Sequence, residues 1–172
     1  MRFSSLHLAC VLLLALATLP LHAQGRADQD AINRLIDQYS ALEDAGDMVA
    51  QAQLMTADRV WIAQWAGRIT NQDMNMRQQQ ANFDAARDFL PGVQWFTDAR
   101  DRLIKFYGNG SVAVASFYWY RSFVLPGNTP PEIAATFVSF NPGVITLVLE
   151  KQGGDWKIVH THNSELSQSA GQ

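Results

Sequence analysis

Apolar residues recur at Ile32, Leu35, Ile36, Tyr39 and Leu42, the spacing of one face of a helix, and this predicts a helix from Asp28 to Ala45 that Gly46 stops. Asp47 follows as an N-cap for a short helix over Met48 to Met55, because its carboxylate can accept from the free N–H groups of a first turn. The chain is then expected to turn at Thr56-Ala57-Asp58. Val60 to Trp65 is β-branched and aromatic and reads as a strand, with Gly67 to Asn71 as a turn or short pairing strand. A third helix is expected from Asp73 to Leu90, with Met76, Phe83, Ala86 and Leu90 on one face and Pro91-Gly92 as its stop. On this reading the glutamines from Gln78 to Gln80 form a solvated face.

The rest of the chain is strand-like. Gln94 to Tyr107 and Val112 to Val124 flank the turn Gly108-Asn109-Gly110, and Val144 to Lys151 and Trp156 to Asn163 close as a hairpin over Gln152 to Asp155. Proline and glycine break the pattern between Leu125 and Pro131. Helices first and a long antiparallel sheet after argue for an α+β fold, with the helices packed on one face of a curved sheet, rather than for alternating βα units.

The amino terminus changes the picture of what folds. Arg2, the apolar run Leu8 to Leu19 and the Leu21-His22-Ala23 segment read as an export signal spanning residues 1–23. The run is shorter than the about 20 residues a membrane span needs, so a periplasmic or secreted protein without a membrane anchor is expected. Cys10 lies inside the run rather than after it, which argues against a lipoprotein. Removing 23 residues from 172 leaves 149, the size of one domain, taken as residues 28–166 with 167–172 as a flexible tail. That chain has no cysteine, which excludes thiol catalysis and leaves burial to stabilise it. Loss of Arg2 leaves 12 Lys and Arg against 16 Asp and Glu, with the basic residues scattered, so no nucleic-acid or anionic-membrane partner is expected.

Two of the four histidines, His7 and His22, fall in the segment to be cut, leaving His160 and His162 as the only imidazoles. Strict alternation would put them on one strand face with Trp156 and Ile158, and Val159, Thr161 and Asn163 on the other. Three roles are open to the pair. Two imidazoles on one face can chelate a metal, but the third ligand would have to be a carboxylate, and Glu165 lies past the strand. They can serve as acid and base in a pocket. They can also satisfy buried backbone or fix a sheet edge or subunit contact. In Val112 to Val124, Ser116, Tyr118 and Tyr120 alternate with Phe117, Trp119, Arg121 and Phe123, so both faces are bulky and a homodimer through one of them is expected. Trp61 and Trp65 share a face with Ala63. No phosphate-binding glycine loop, nucleophile elbow or telling carboxylate pair is present, and no cofactor or metal is implied.

The order of elements, the "ALEDAGD" junction ahead of "MTADRVWI" and the closing "GDWKIVHTHNS" together resemble the nuclear transport factor 2-like superfamily, and within it the SnoaL-like proteins. The ending Trp156, Val159, His160, His162 and Ser164 also resembles the association domain of calcium/calmodulin-dependent kinase. The resemblance implies a cone in which helices close the concave side of a curved sheet around a cavity, with pairing through the outer face. Ketosteroid isomerase shares this superfamily; its helix tyrosine falls on Tyr39, but its base falls on Ala63 and its second acid near Thr146, so that activity is not implied.

The resulting expectation is a domain that holds a small, largely apolar molecule in a conical cavity lined by Tyr39, Trp61, Trp65, Tyr118 and Tyr120, with polar contacts from His160, His162 or Asn163. An isomerase, lyase or cyclase with His160 or His162 as acid or base is the alternative, and a homo-oligomeric assembly module without catalysis is the third. If Val159, Thr161 and Asn163 point inward instead, both histidines move to the outer face and become interface groups.

Overall fold

In the computed structural model, residues 5–63, 67–135 and 142–166 are described, with side chains from Gly25 onward. Trp65, the side chains of the expected export signal and the 167–172 tail lie outside the described residues. The chain divides into two units, Met1–Arg34 and Leu35–Gln172. The first is helical from Ser5, because α1 runs over Ser5–Ala45 and begins well before the expected Asp28. Its Ala- and Leu-rich upstream run has high helix propensity, and the helix continues through Pro20 and Gly25. No described helix is long and apolar enough to cross a membrane.

In the second unit the end of α1 is followed by α2 (Met48–Ala52), β1 (Met55–Ala63), β2 (Gly67–Ile69), α3 (Gln72–Phe89), β3 (Gln94–Tyr107), β4 (Val112–Val124), the short α4 (Pro131–Ala134), β5 (Gly143–Gln152) and β6 (Asp155–Glu165). Asp47 caps α2 by accepting from the N–H of Ala50, and Asn71 caps α3 by accepting from that of Met74, each at 2.9 Å. The expected turn at Thr56-Ala57-Asp58 is instead the start of β1. β6 pairs on either side of it, Ile158 with Met55 and His160 with Val60, with Ile158 N–H donating to the Leu54 carbonyl at 2.9 Å, and residues 56–59 are carried between as an irregularity of the strand. The six strands form one sheet in the order β2-β1-β6-β5-β4-β3, in which β1–β6 is parallel and the other neighbours are antiparallel. Helix α3 packs over β1 and against α2. This is the α+β arrangement expected, helices ahead of a mostly antiparallel sheet.

Two irregularities decide which side chains face the helices. In β3 the register slips between Arg100 and Leu103, where Asp101 takes φ of 53°. In β6 it slips at Val159: Leu149 pairs with Ile158, but Val148 pairs with His160. A bulge of one residue reverses the phase of the alternation. Trp156 and Ile158 therefore share the inner face with Thr161 and Asn163, while His160 and His162 fall on the outer face. The strict alternation expected from the sequence, which grouped the histidines with Trp156 and Ile158, is corrected by this extra residue. On the inner face, Ala113, Ala115, Leu147, Leu149, Ile158 and Thr161 are fully buried, a close-packed centre from which the cavity opens toward Trp119 and Trp61.

Candidate functional site

A cavity of about 560 Å³ lies between the inner face of the sheet and the helices α1 and α3. Its aromatic wall comes from Trp61 on β1, Trp95 and Phe96 on β3, Trp119 on β4 and Phe83 on α3, with Tyr39 on α1. The rings brace one another: Tyr39 meets Trp119 edge to face at 5.7 Å, and Phe83 meets Trp95 at 5.2 Å. Tyr39, Trp61 and Trp119 are buried, so this packing makes the wall continuous with the core. Volume and lining both fall in the range of small-molecule pockets.

The lining is more polar than the sequence suggested. Nine of its seventeen residues are polar or charged, among them Glu43, Arg59, Asn75, Arg121 and Asn163. Glu43 stands one helical turn after Tyr39 on α1, so both project the same way. The Gln51 amide, itself 1% exposed, donates to the Glu43 carboxylate and to the Tyr39 carbonyl, each at 3.0 Å. Burial pushes the Glu43 carboxyl above the ordinary carboxylate pKa, and the Gln51 hydrogen bond and the charge of Arg121 only partly oppose that. Burial, then the nearby Glu43, likewise raises the Tyr39 phenol, so it stays protonated.

Arg59 enters the cavity wall from β1 and is 2% exposed. Its guanidinium donates to Asn75 Oδ1 at 2.5 Å and Thr161 Oγ1 at 3.3 Å and touches the Met76 sulfur, while its Nε has no partner. Desolvation lowers its pKa. Asn163 Oδ1, on the same inner face of β6, is also buried without a partner.

Of the residues expected to line the cavity, Tyr39, Trp61 and Asn163 do so, and Trp65 lies outside the described residues. Tyr118, Tyr120, His160 and His162 do not. Tyr118 and Tyr120 alternate with the inward Trp119 and are each 39% exposed on the outer face, where Arg100 stacks on Tyr120 at 5.0 Å. His160 pairs between Val60 and Val148, and His162 between Ile62 and Thr146. The pair is thus brought together, but on the side of the sheet away from the cavity, because of the Val159 bulge. Among the described residues no group of three metal-ligating side chains forms around them or elsewhere. The glutamine run is corrected too: Gln80 binds the Met48 N–H and the Gly46 carbonyl, and Gln78 and Gln79 border the cavity.

Glu43, Arg59, Asn75 and Arg121 were not singled out from the sequence. For Arg59 a signal existed, a charged residue between Met55 and the apolar Val60 to Ala63. For Glu43, its spacing of four from Tyr39 was available.

With this architecture in hand, the chain can be set beside solved structures. It is similar to a nuclear transport factor 2-like protein with a cystatin-like fold from Novosphingobium aromaticivorans, with a TM-score of 0.70 at 19% identity over 90% of this chain and 92% of the other. An aromatic ring hydroxylase candidate from the same organism matches with a TM-score of 0.63 at 17% identity, over 81% and 90% of the two chains. A scytalone dehydratase candidate, also from that organism, matches with a TM-score of 0.62 at 15% identity, over 84% and 88%. No protein-family model matches the sequence, and neither does any curated protein. The fold is therefore nuclear transport factor 2-like, as the resemblance of the helix junction and the closing strand implied. Fold of this kind hosts many chemistries, and function has to come from the cavity itself.

Proposed function

We propose that the protein is an exported SnoaL-like domain that holds a small molecule, largely apolar in its body and polar at one end, in this cavity. The observation that carries the reading is a space of about 560 Å³ walled by three tryptophans with charged groups in the same wall. A thermal-shift series with one- and two-ring aromatic compounds tests it. A compound present at 100 times its Kd stabilises by about 2.7 kcal/mol, which raises Tm by about 5 to 10 °C in a domain of this size. A broad panel that leaves Tm unmoved at millimolar concentration refutes the reading.

The outer face supports a homodimer. Leu103, Tyr118 and Tyr120 are exposed there beside Val60, Val148 and the two histidines, so the histidines serve as interface groups in this reading. Sedimentation of the wild type and of Tyr118→Glu tests it: a dimer that the charge splits is expected, and a wild-type monomer at tens of micromolar refutes it.

A second reading, an isomerase, lyase or cyclase, is favoured by Glu43 rather than by a histidine. Its carboxyl has a raised pKa and lines the cavity beside Tyr39, with the positive charges of Arg59 and Arg121 in the same lining to stabilise a developing oxyanion. Two proteins of the same fold carry dehydratase and hydroxylase descriptions. Turnover that disappears in Glu43→Gln while binding persists is the expected result, and unchanged turnover removes Glu43 from the chemistry.

A further inference from the structure

We propose that the cavity's ligand is a small aromatic acid whose carboxylate pairs with Arg59, a step that rests on the reading of the cavity as a ligand site. A guanidinium stays charged in proteins, and taking it out of water is costly unless an anion accompanies it. Arg59 is 2% exposed, yet its three contacts are an amide oxygen, a hydroxyl and a thioether, all of them neutral. Among the described residues no carboxylate forms an ion pair with it, although four other arginines have one. Glu43, the carboxylate that shares the cavity, lies in the field of Arg121 and is hydrogen-bonded by Gln51. The positive charge at Arg59 is therefore placed in the wall without a counter-ion, and one of its donors, Nε, is unused.

The arrangement around the guanidinium is built rather than incidental. Asn75 on α3 and Thr161 on β6 hold it from two sides, and Asn75 in turn receives the Gln79 amide at 2.9 Å. Both holding residues are nearly or fully buried. An arginine kept in this way has its Nη groups engaged and its Nε–H left to donate to a carboxylate. Trp61, on the same strand and the same face two residues on, gives a flat apolar surface beside it. Asn163, whose side-chain oxygen is unpartnered, adds a polar contact on the same inner face for a hydroxyl or amine of the same ligand.

The test uses tryptophan emission and calorimetry on the wild type with three probes: benzoate, benzyl alcohol and inorganic phosphate. Benzoate is expected to bind about tenfold or more tightly than its neutral analogue, the scale of a charge-assisted hydrogen bond, and phosphate to bind weakly because it leaves the aromatic wall unfilled. Arg59→Met is expected to remove the preference while leaving benzyl alcohol binding in place. If benzyl alcohol binds the wild type as well as benzoate does, the anion inference is overturned and the cavity reading stands. If neither aromatic probe binds, the cavity reading and this inference fall together. Tighter binding of phosphate than of benzoate overturns the aromatic part. A folded Arg59→Met that keeps the preference places the anion elsewhere and overturns the assignment to Arg59. Should that variant not fold, the wild-type comparison still decides whether the cavity prefers an anion, and Arg59→Lys takes its place: a folded Arg59→Lys with the wild-type benzoate affinity overturns the assignment to Arg59.

Discussion

Replacing Gly46 with alanine should destabilise the domain far more than the loss of one glycine usually does. Gly46 ends α1 with φ of +60°, its N–H donating to the Glu43 carbonyl and the next N–H, of Asp47, to that of Leu42, each at 2.9 Å. This is the left-handed C-terminal cap in which glycine avoids a cost of about 1 to 2 kcal/mol that a side chain would incur. A Cβ at this position would also lie 2.6 Å from Arg87 Nη2 and 3.0 Å from Phe83 Cδ1. Arg87 would have to leave the Ala45 carbonyl to which it donates, a further loss of about 1 kcal/mol or more. The total is about 2 to 4 kcal/mol, or about 5 to 15 °C in Tm. Gly153 supplies the control: its φ is +61°, but a Cβ there meets nothing within 4 Å. Calorimetric unfolding of both variants should show Gly46→Ala losing clearly more than Gly153→Ala, with the excess shrinking in an Arg87→Ala background. Equal losses in the two glycine variants, or an excess that survives removal of Arg87, would refute the steric part of the reasoning.

Three further outcomes are expected. Burial, then His162 and Arg59, lowers the His160 pKa, so the folded state resists protonation, and the stability this contributes above the ordinary histidine pKa is lost as pH falls through the folded value. Tm measured from pH 8 to 5 should therefore fall less steeply in His160→Asn, and an unchanged slope would rule out a role for His160. The Glu43 carboxyl is raised, so its ionisation opposes folding as pH climbs past the ordinary carboxylate range. Glu43→Gln should accordingly melt higher than wild type at pH 7 and approach it near pH 4; a wild type that melts higher at pH 7 contradicts this. Asn71→Ala removes the acceptor of the Met74 N–H and should cost about 1 kcal/mol, or about 2 to 4 °C, read by thermal denaturation.

Periodicity made the large elements legible. The bounds of β3 and β4 are those of the alternating runs Gln94 to Tyr107 and Val112 to Val124, and Gly46, Asp47 and Pro91 marked helix ends for stereochemical reasons that hold locally. What failed was what depends on partners. The start of β1 at Met55 is decided by pairing with β6, and the inner set of β6 by a bulge that leaves no mark in hydropathy, since Val159, His160 and Thr161 are all acceptable strand residues. The candidate site divided along the same line. Tyr39, Trp61 and Asn163 were found, the first two by helix or strand face. Arg59 and Glu43 were missed because a charged residue inside an apolar element is assumed to point to water, and only the packing of β1 under α3 shows otherwise.

The bulge at Val159 also makes one position of the sheet unusually tolerant of a change in chain length. In a regular strand, losing a single residue turns every later side chain to the opposite side. Here Ile158 already faces inward and His160 outward, so a chain lacking Val159 would alternate smoothly through Thr161 and Asn163 with each on its present side. Length variation in β6 of relatives should therefore concentrate at this point, where a strand can shorten by one without exchanging the residues of its two faces.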